Sequence, residues 1–280
     1  MCQLLGMNCN TPTDIVFSFQ GFRKRGGLTD THNDGFGIAF FEEKGVRLFH
    51  DDHACSTSPI AELIKDYPIR SMNVISHIRK ATQGKSSLVN THPFTREIWG
   101  EYWVFAHNGQ IKDFEHKHGH YFNPVGDSDS EQIFCYFLEI LKHKFGNKKP
   151  TREQIFDLLS DLTNQIRKNS LVNYLISNGD WMLAYCDSLL FYKIRQSPFG
   201  EAKLLDEDLN IDFSRVTTPN DKVAVIATLP LTINEEWQQL ARNELVMFQD
   251  GDIVLRKKPE PPYYYSIEDG IKLAKLFSAG

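Results

Sequence analysis

Short, mostly apolar segments separated by polar stretches recur along the chain, which is the pattern of buried β-strands. Their β-branched and aromatic residues predict strands over residues 36–41, 73–77, 102–107, 171–177, 181–185, 189–194 and 223–228. Residues 178–180 (Asn-Gly-Asp) and 249–252 (Gln-Asp-Gly-Asp) separate neighbouring apolar segments. Both are predicted hairpin turns, because Asn, Asp and Gly tolerate positive φ.

Helices are predicted where a capping residue precedes an amphipathic segment. Four such starts are present: Ser58-Pro59, Ser128-x-x-Glu131, Thr151-x-x-Gln154 and Ser266-x-x-Asp269. The second and third have the spacing of capping boxes, and Gly146 is the predicted end of the helix that follows Ser128.

Hairpins outnumber helices, so the predicted fold class is α+β with antiparallel sheets rather than a doubly wound parallel sheet. A chain of 280 residues can bury the core of one large domain or the cores of two small ones. The Pro-rich stretch at residues 259–262 is the predicted linker. The sequence therefore predicts a domain over residues 1–255 and a C-terminal tail with a short helix over residues 256–280.

Charge and cysteine usage exclude several classes of protein. A net charge of −5 argues against nucleic acid or an acidic membrane as the partner, since binding phosphates requires a basic surface. The five cysteines (Cys2, Cys9, Cys55, Cys135 and Cys186) are odd in number and form no CxxC pair, which argues against a disulfide framework or a zinc site. No signal peptide or membrane-spanning run is present, so we expect a cytoplasmic protein.

Cys2 is the first candidate for chemistry. Removal of Met1 would give Cys2 a thiol and a free α-amine on the same residue, and therefore a nucleophile with its own base. An α-amine has an unperturbed pKa of about 7.7–8.0, which suits proton transfer near neutral pH. If Met1 is retained, this amine becomes an amide and the base is lost.

Three further motifs supply the other groups that hydrolysis of an amino-acid amide requires. Asn108 and Gly109 follow a predicted strand and could donate a side-chain amide N–H and a backbone N–H to one oxyanion. Arg79 follows another strand and could hold a carboxylate through two parallel hydrogen bonds. Asp129 lies in the first turn of a predicted helix and could hold an ammonium group. Taken singly, each residue could equally be a turn, a surface ion-pair partner or a helix-start acid.

Taken together and in order, these motifs resemble the class II, N-terminal-nucleophile (Ntn) glutamine amidotransferases, and more closely their stand-alone YafJ-like group. The resemblance covers most of the chain and rests on these segments: MCQLLGMN, DGFGI, HIRKATQG, NTHPF, HNG, SDSE, ATLPLT and NEEW. It implies an αββα sandwich, in which two antiparallel sheets lie between layers of helices.

The resemblance also implies an activity and a role for each candidate. The activity is hydrolysis of the glutamine γ-amide through a γ-glutamyl thioester on Cys2, with release of ammonia and glutamate and with no metal or organic cofactor. The implied roles are nucleophile for Cys2, oxyanion hole for Asn108 and Gly109, α-carboxylate binding for Arg79, α-amino binding for Asp129, and a further pocket contact for Thr82.

Lys80 and Gln83 depart from the sugar-phosphate synthase branch of this family, which usually has Trp and His there. Hydrolysis therefore remains the expected reaction, and transfer of ammonia to an acceptor would need a separate partner protein. Two alternatives stay open: an amidohydrolase of another γ-glutamyl compound (glutathione-like or a γ-glutamyl amine), and a catalytically silent binding scaffold. The HKHGH segment (His116, His118 and His120) is interpreted as surface histidines rather than a metal site.

Overall fold

Two antiparallel sheets form the centre of the computed structural model, which describes residues 2–80, 87–112, 114 and 119–278. The strands are β1 (Gln3–Thr13), β2 (Phe36–Glu42), β3 (Gly45–Asp51), β4 (Ser71–Ile78), β5 (Phe94–Ile98), β6 (Glu101–Gln110), β7 (Leu171–Ser177), β8 (Trp181–Cys186), β9 (Phe191–Gln196), β10 (Glu201–Lys203), β11 (Asn210–Asp212), β12 (Lys222–Ala227), β13 (Gln238–Gln239), β14 (Glu244–Gln249) and β15 (Asp252–Lys257). The α-helices are α1 (Val16–Lys24), α2 (Pro59–Asp66), α3 (Asp129–Phe145), α4 (Arg152–Ile166) and α5 (Ile267–Ser278).

The strands divide between a seven-stranded and a six-stranded sheet. The strand order is β13-β9-β12-β1-β4-β2-β3 in the first and β15-β14-β8-β7-β6-β5 in the second, while β10 and β11 form a separate hairpin. Helices α1 and α2 cover the outer face of the first sheet, and α3 and α4 cover the outer face of the second. This arrangement of two antiparallel sheets between helices confirms the predicted α+β fold class.

The layer between the sheets is apolar because alternate residues of each strand point into it. Leu4 and Ile75 of the first sheet meet Ala106 and Leu175 of the second, and all four side chains are fully buried. Gly6 lies on the same face of β1, and a Cβ atom there would come within 2.7 Å of Met182 Sδ on β8. The absence of a side chain at position 6 therefore sets how closely the sheets approach.

At one end of this layer, two buried asparagines join the sheets. Asn8 Nδ2 donates to Asn73 Oδ1 at 2.9 Å, and Asn8 Oδ1 accepts from the backbone N–H of Gly251 at 2.8 Å. Asn73 Nδ2 donates to the carbonyl of Gly179 at 2.7 Å. Gly179 and Gly251 have φ of +92° and +74° in the two predicted hairpin turns, so the asparagines hold both turns against the first sheet.

Most of the predicted elements are confirmed, and the errors are elements that were missed and one cap that was half right. Strands β1, β3 and β5 were not predicted. Helix α1 was not predicted, because its N-cap residue Ile15 has no capping side chain and gives no start signal. The Ser128 capping box is only half correct. Ser128 Oγ does accept from the backbone N–H of Glu131, but the Glu131 carboxylate accepts from Arg96 and from the N–H of Gly126 instead of closing the box.

The C-terminal segment lies against both halves of the chain, and α5 contacts β6. Strand β15 continues to Lys257, and beyond it the carbonyl of Tyr263 accepts from the backbone N–H of Arg242 at 2.7 Å. Gly270 of α5 packs against Leu189. The division into a domain at residues 1–255 and a tail stays a prediction. Among the helices of the described residues, none is both long and apolar enough to span a bilayer.

We expect Gly6→Val to lower the free energy of unfolding by about 1–3 kcal/mol, because its side chain would overpack the contact with Met182. Gly200→Val is the matched control, since a Cβ at Gly200 meets nothing within 4 Å. Urea unfolding of both variants measures the difference. Equal stability of the two variants would show that Gly6 does not set the sheet spacing.

Candidate active site

A cavity of about 310 Å³ lies at the end of the inter-sheet layer opposite to the asparagine pair. Four of the predicted site residues line it: Cys2, Arg79, Gly109 and Asp129. Cys2 directly precedes β1, Arg79 directly follows β4, Gly109 lies near the end of β6 and Asp129 begins α3. The fold therefore brings together four segments that are far apart in the sequence.

Cys2 is the one cysteine of the chain that is not buried. Alternate residues of a strand lie on the same face, so Cys2 lies on the same side of the chain as Leu4 and Gly6. This is the side of β1 that is directed at the second sheet. The backbone N–H of Lys80 donates to Cys2 Sγ at 3.3 Å. Burial raises the pKa of the Cys2 thiol, and the hydrogen bond from Lys80 only partly offsets this. The thiol is thus protonated at neutral pH, and a nucleophilic role requires a base.

Arg79 brings to the cavity a positive charge that has no ion-pair partner in the described part of the chain. The residue is only 8% exposed, and its Nη1 is buried with no hydrogen-bond partner among the described residues. Its backbone is fixed by a hydrogen bond from its N–H to the carbonyl of Gly35 at 2.8 Å. Buried charges in proteins are normally paired, so this guanidinium is suited to bind an anion that enters the cavity.

Asp129 is held at the first position of α3, directly after the N-cap Ser128. Its Oδ1 accepts from the N–H of Ser130 at 2.7 Å, and its Oδ2 accepts from the N–H of Ile111 at 2.8 Å. An ionised carboxylate has about four acceptor positions, so these two bonds fix its orientation and leave room for a cation.

Gly109 and Asn108 differ in their access to the cavity. Gly109 lines it, and no side chain is possible there because a Cβ atom would lie 1.8 Å from the carbonyl oxygen of Leu171. Asn108 is fully buried behind the cavity wall. Its Nδ2 lies 3.4 Å from Thr228 Oγ1, and its carbonyl oxygen accepts from Asn173 Nδ2 at 2.9 Å.

Asn173 was not singled out in the sequence, yet it supports the strand that carries Asn108. Besides donating to the Asn108 carbonyl, its Oδ1 accepts from the backbone N–H of Asp187 at 2.9 Å and of Ser188 at 3.0 Å. The same peptide group includes the Asn108 carbonyl and the Gly109 N–H. Asn173 therefore fixes the orientation of the backbone donor predicted for the oxyanion.

His107 and Ser130 were also missed, and they join β6 to α3 behind Asp129. Burial lowers the pKa of His107, so the ring is neutral near pH 7. Its Nε2 faces the carbonyl of Leu171 at 3.3 Å and carries the proton, which leaves Nδ1 to accept from Ser130 Oγ at 2.8 Å. The HNG motif contains His107, but only the contact with α3 shows its role.

Two further histidines lie at the cavity, and one of them, His92, lines it. The rings of His77 and His92 stack with centroids 4.2 Å apart, and none of their ring nitrogens has a hydrogen-bond partner among the described residues. Burial is the main cause that lowers the pKa of both rings well below the usual range. Repulsion by the charge of neighbouring histidines lowers it further. The cavity floor is therefore uncharged at neutral pH.

Some predicted residues lie outside the described residues, namely Thr82, Gln83, His116 and His118. The backbone N–H of His120 donates to Glu139 Oε1 at 2.9 Å.

Among the described residues, Asp51, Asp52 and His53 are the one group close enough to share a metal ion, and none of them lines the cavity of Cys2.

Comparison with known proteins adds an independent line of evidence. A family model described as "Glutamine amidotransferases class-II" matches residues 1–266. A Haemophilus influenzae protein named as a candidate glutamine amidotransferase is 52% identical over 270 residues, covering 96% of this chain and 91% of that protein. Escherichia coli YafJ, named in the same way, is 47% identical over 255 residues, covering 91% of this chain and 100% of that protein. A crystal structure of a predicted glutamine amidotransferase from Pseudomonas aeruginosa superposes with a TM-score of 0.73 at 43% identity, over 91% of this chain and 100% of that one.

The buried neutral histidines predict how stability depends on pH. Their pKa is lower in the folded chain than the value of about 6.5 in the unfolded chain, so the unfolded chain binds more protons and stability falls as pH drops below about 6.5. We expect His92→Gln to reduce this slope, measured by urea unfolding between about pH 5 and 7, by up to about 1.4 kcal/mol per pH unit.

The matched control is His53→Gln. Hydrogen bonding to Asp51 raises the pKa of exposed His53, so its titration favours the folded chain at low pH and its removal cannot flatten the slope. An unchanged slope in His92→Gln would mean that His92 is accessible to protons in the folded protein.

Proposed function

Because the chain belongs to the class II glutamine amidotransferases, we propose that it hydrolyses the γ-amide of glutamine with Cys2 as the nucleophile. One observation carries the proposal: the half-buried thiol shares its cavity with an unpartnered guanidinium nitrogen, on Arg79, and an oriented carboxylate, on Asp129. These groups are complementary to the α-carboxylate and the α-ammonium of a free amino acid. The thiol is then left for the side chain of that amino acid.

Substrate binding follows from these charges. Arg79 holds the α-carboxylate through parallel hydrogen bonds, and Asp129 holds the α-ammonium. Fixing both α-groups of the substrate orients its γ-amide towards Cys2, and orientation of this kind is a large part of enzymatic rate enhancement.

The chemical step starts when the α-amine of Cys2, freed by removal of Met1, takes the thiol proton. The thiolate adds to the γ-carbonyl carbon, and the oxyanion is stabilised by the N–H of Gly109 and the side-chain amide of Asn108. Collapse breaks the C–N bond, and the protonated amine returns its proton to the departing ammonia. Water then hydrolyses the γ-glutamyl thioester to glutamate and regenerates the thiol.

A second candidate function is hydrolysis of another γ-glutamyl compound. Lys80 favours it, because it lines the cavity and its backbone N–H donates to Cys2 Sγ. Its Nζ, which donates to the exposed Thr31 Oγ1 at 2.6 Å, could instead bind a carboxylate of a leaving group larger than ammonia. We also propose that any transfer of ammonia uses a separate acceptor protein. A cytoplasmic location is proposed as well, and the five free cysteines support it.

The first test is the intact mass of protein lacking Met1 after incubation with 6-diazo-5-oxo-L-norleucine, a glutamine-like electrophile. We expect one adduct, mapped to Cys2, and no adduct in Cys2→Ala. Cys9→Ser is the matched control, because Cys9 is buried and should leave the labelling unchanged. Trimmed protein that stays unlabelled at saturating reagent would contradict a glutamine-shaped pocket and favour a silent scaffold.

The second test separates the roles of two carboxylates in the same cavity. Asp129→Asn should raise the KM for glutamine about 10-fold to 100-fold, because a charge-assisted hydrogen bond is worth about 1.5–3 kcal/mol. Asp127→Asn removes the same charge at a carboxylate already bonded to Asn90 Nδ2 at 2.5 Å, and should change the KM far less. The measurement is steady-state release of glutamate.

The same assay, run with glutamine, glutathione and γ-glutamyl amines, distinguishes the two candidate functions. Turnover of glutamine supports the first. Turnover of another γ-glutamyl compound without turnover of glutamine supports the second. Equal effects of the Asp127 and Asp129 substitutions on KM would contradict specific binding of the ammonium by Asp129.

A further inference from the structure

Thr228 connects the nucleophile strand to the end of β12. It follows β12 directly, is fully buried, and continues the inward-facing series of Ala224 and Ile226. The backbone N–H of Leu4 donates to Thr228 Oγ1 at 2.9 Å, and the N–H of Thr228 donates to the carbonyl of Leu4 at 3.1 Å. Leu4 is two residues from Cys2, so these bonds fix Thr228 relative to the nucleophile.

The same hydroxyl reaches across to the other sheet. Asn108 lies on β6 of the six-stranded sheet, and its side-chain amide meets Thr228 Oγ1 at 3.4 Å. Thr228 therefore touches both the strand that carries the nucleophile and the residue predicted to bind the oxyanion. A change in the position of this hydroxyl would move Asn108 relative to Cys2.

Hydrogen-bond requirements favour one orientation of the Asn108 amide. With Nδ2 directed at Thr228, Asn108 Oδ1 is buried without a partner, and within the described ranges the hydroxyl proton of Thr228 reaches no acceptor. An amide has almost the same shape after a half-turn about its terminal bond, so its hydrogen bonds decide its orientation. After that half-turn, Thr228 still accepts from Leu4 and donates its own proton to Oδ1, which satisfies both groups.

This half-turn also changes what Asn108 offers to a substrate. Nδ2 then occupies the buried position without a partner, and becomes a free donor that no other group in the described residues competes for. An oxyanion hole requires such a donor, fixed before charge develops. In the first orientation the unpartnered atom is an acceptor, which would repel an oxyanion.

We propose that Thr228 is a positioning residue: its hydroxyl donates to Asn108 Oδ1 and so holds Nδ2 free for the oxyanion. The proposal rests on the function proposed above and adds a residue that acts through Asn108 rather than on the substrate. Asn173 complements it, since its bond to the Asn108 carbonyl fixes the backbone while Thr228 fixes the side chain.

The kinetic test compares two substitutions. Thr228→Val keeps the shape and removes the hydroxyl, and should lower kcat about 10-fold to 100-fold with the KM for glutamine within about twofold, because the lost stabilisation exists only in the transition state. Thr228→Ser keeps the hydroxyl and should retain kcat within about threefold. A Thr228→Val kcat within twofold of the parent, or a Thr228→Ser kcat as low as that of Thr228→Val, would overturn the proposal.

A double-mutant cycle tests whether Thr228 acts through Asn108. In an Asn108→Ala background the further change Thr228→Val should lower kcat by less than about twofold, since the group it positions is already absent. A merely structural role would instead multiply the two losses, and that outcome would overturn the proposal.

Neutron diffraction of the deuterium-exchanged parent protein gives a readout that needs neither variant nor turnover. A deuteron on Thr228 Oγ1 directed at Asn108 Oδ1 is the expected result, and amide deuterons of Nδ2 directed at Thr228 would overturn the proposal. A parent enzyme that turns over no γ-glutamyl substrate, with the expected map, would count against the proposed function alone.

Discussion

The face-to-face packing of two antiparallel sheets is the constraint on which the rest of the structure depends. Because a strand points alternate side chains to opposite faces, each strand contributes a fixed row of residues to the layer between the sheets. Along β1 this row runs through Leu4, Gly6 and Asn8, and Cys2 continues it at one end. Close approach of the sheets at Gly6 therefore also sets the distance between Cys2 and the strands opposite.

The charges of the site lie on Arg79 and Asp129, and the histidines next to them are neutral. Arg79, Asp129 and His92 line the cavity, His77 stacks on His92, and burial holds both histidines uncharged. A second cation below Arg79 would weaken any preference for a zwitterionic ligand, because both charges would attract the same carboxylate. The neutral floor thus preserves the separation of positive and negative charge across the cavity.

Much of this arrangement could be predicted from the sequence, and the rest could not for a physical reason. Cys2, Arg79, Gly109 and Asp129 stand at the ends of elements, where a polar residue after an apolar run is conspicuous, and the predicted family is confirmed by the comparisons. Asn173 and Thr228 belong to apolar segments that predict core strands, and their partners are distant. Thr228 and Leu4 are 224 residues apart, a contact that no local pattern contains. Glu131 shows the opposite case, because a local motif predicted a cap while Arg96 provided a stronger partner.

The asparagine pair at the far end of the inter-sheet layer has a consequence for motion. Asn8 and Asn73 tie both hairpin turns of one sheet to the other, and the contacts of Thr228 tie the sheets at the opposite end. Two sheets fastened at both ends cannot slide past each other without breaking buried hydrogen bonds, which excludes shear as an inexpensive movement. The strands are therefore a rigid frame, and a ligand that enters the cavity meets strand ends whose positions are already set.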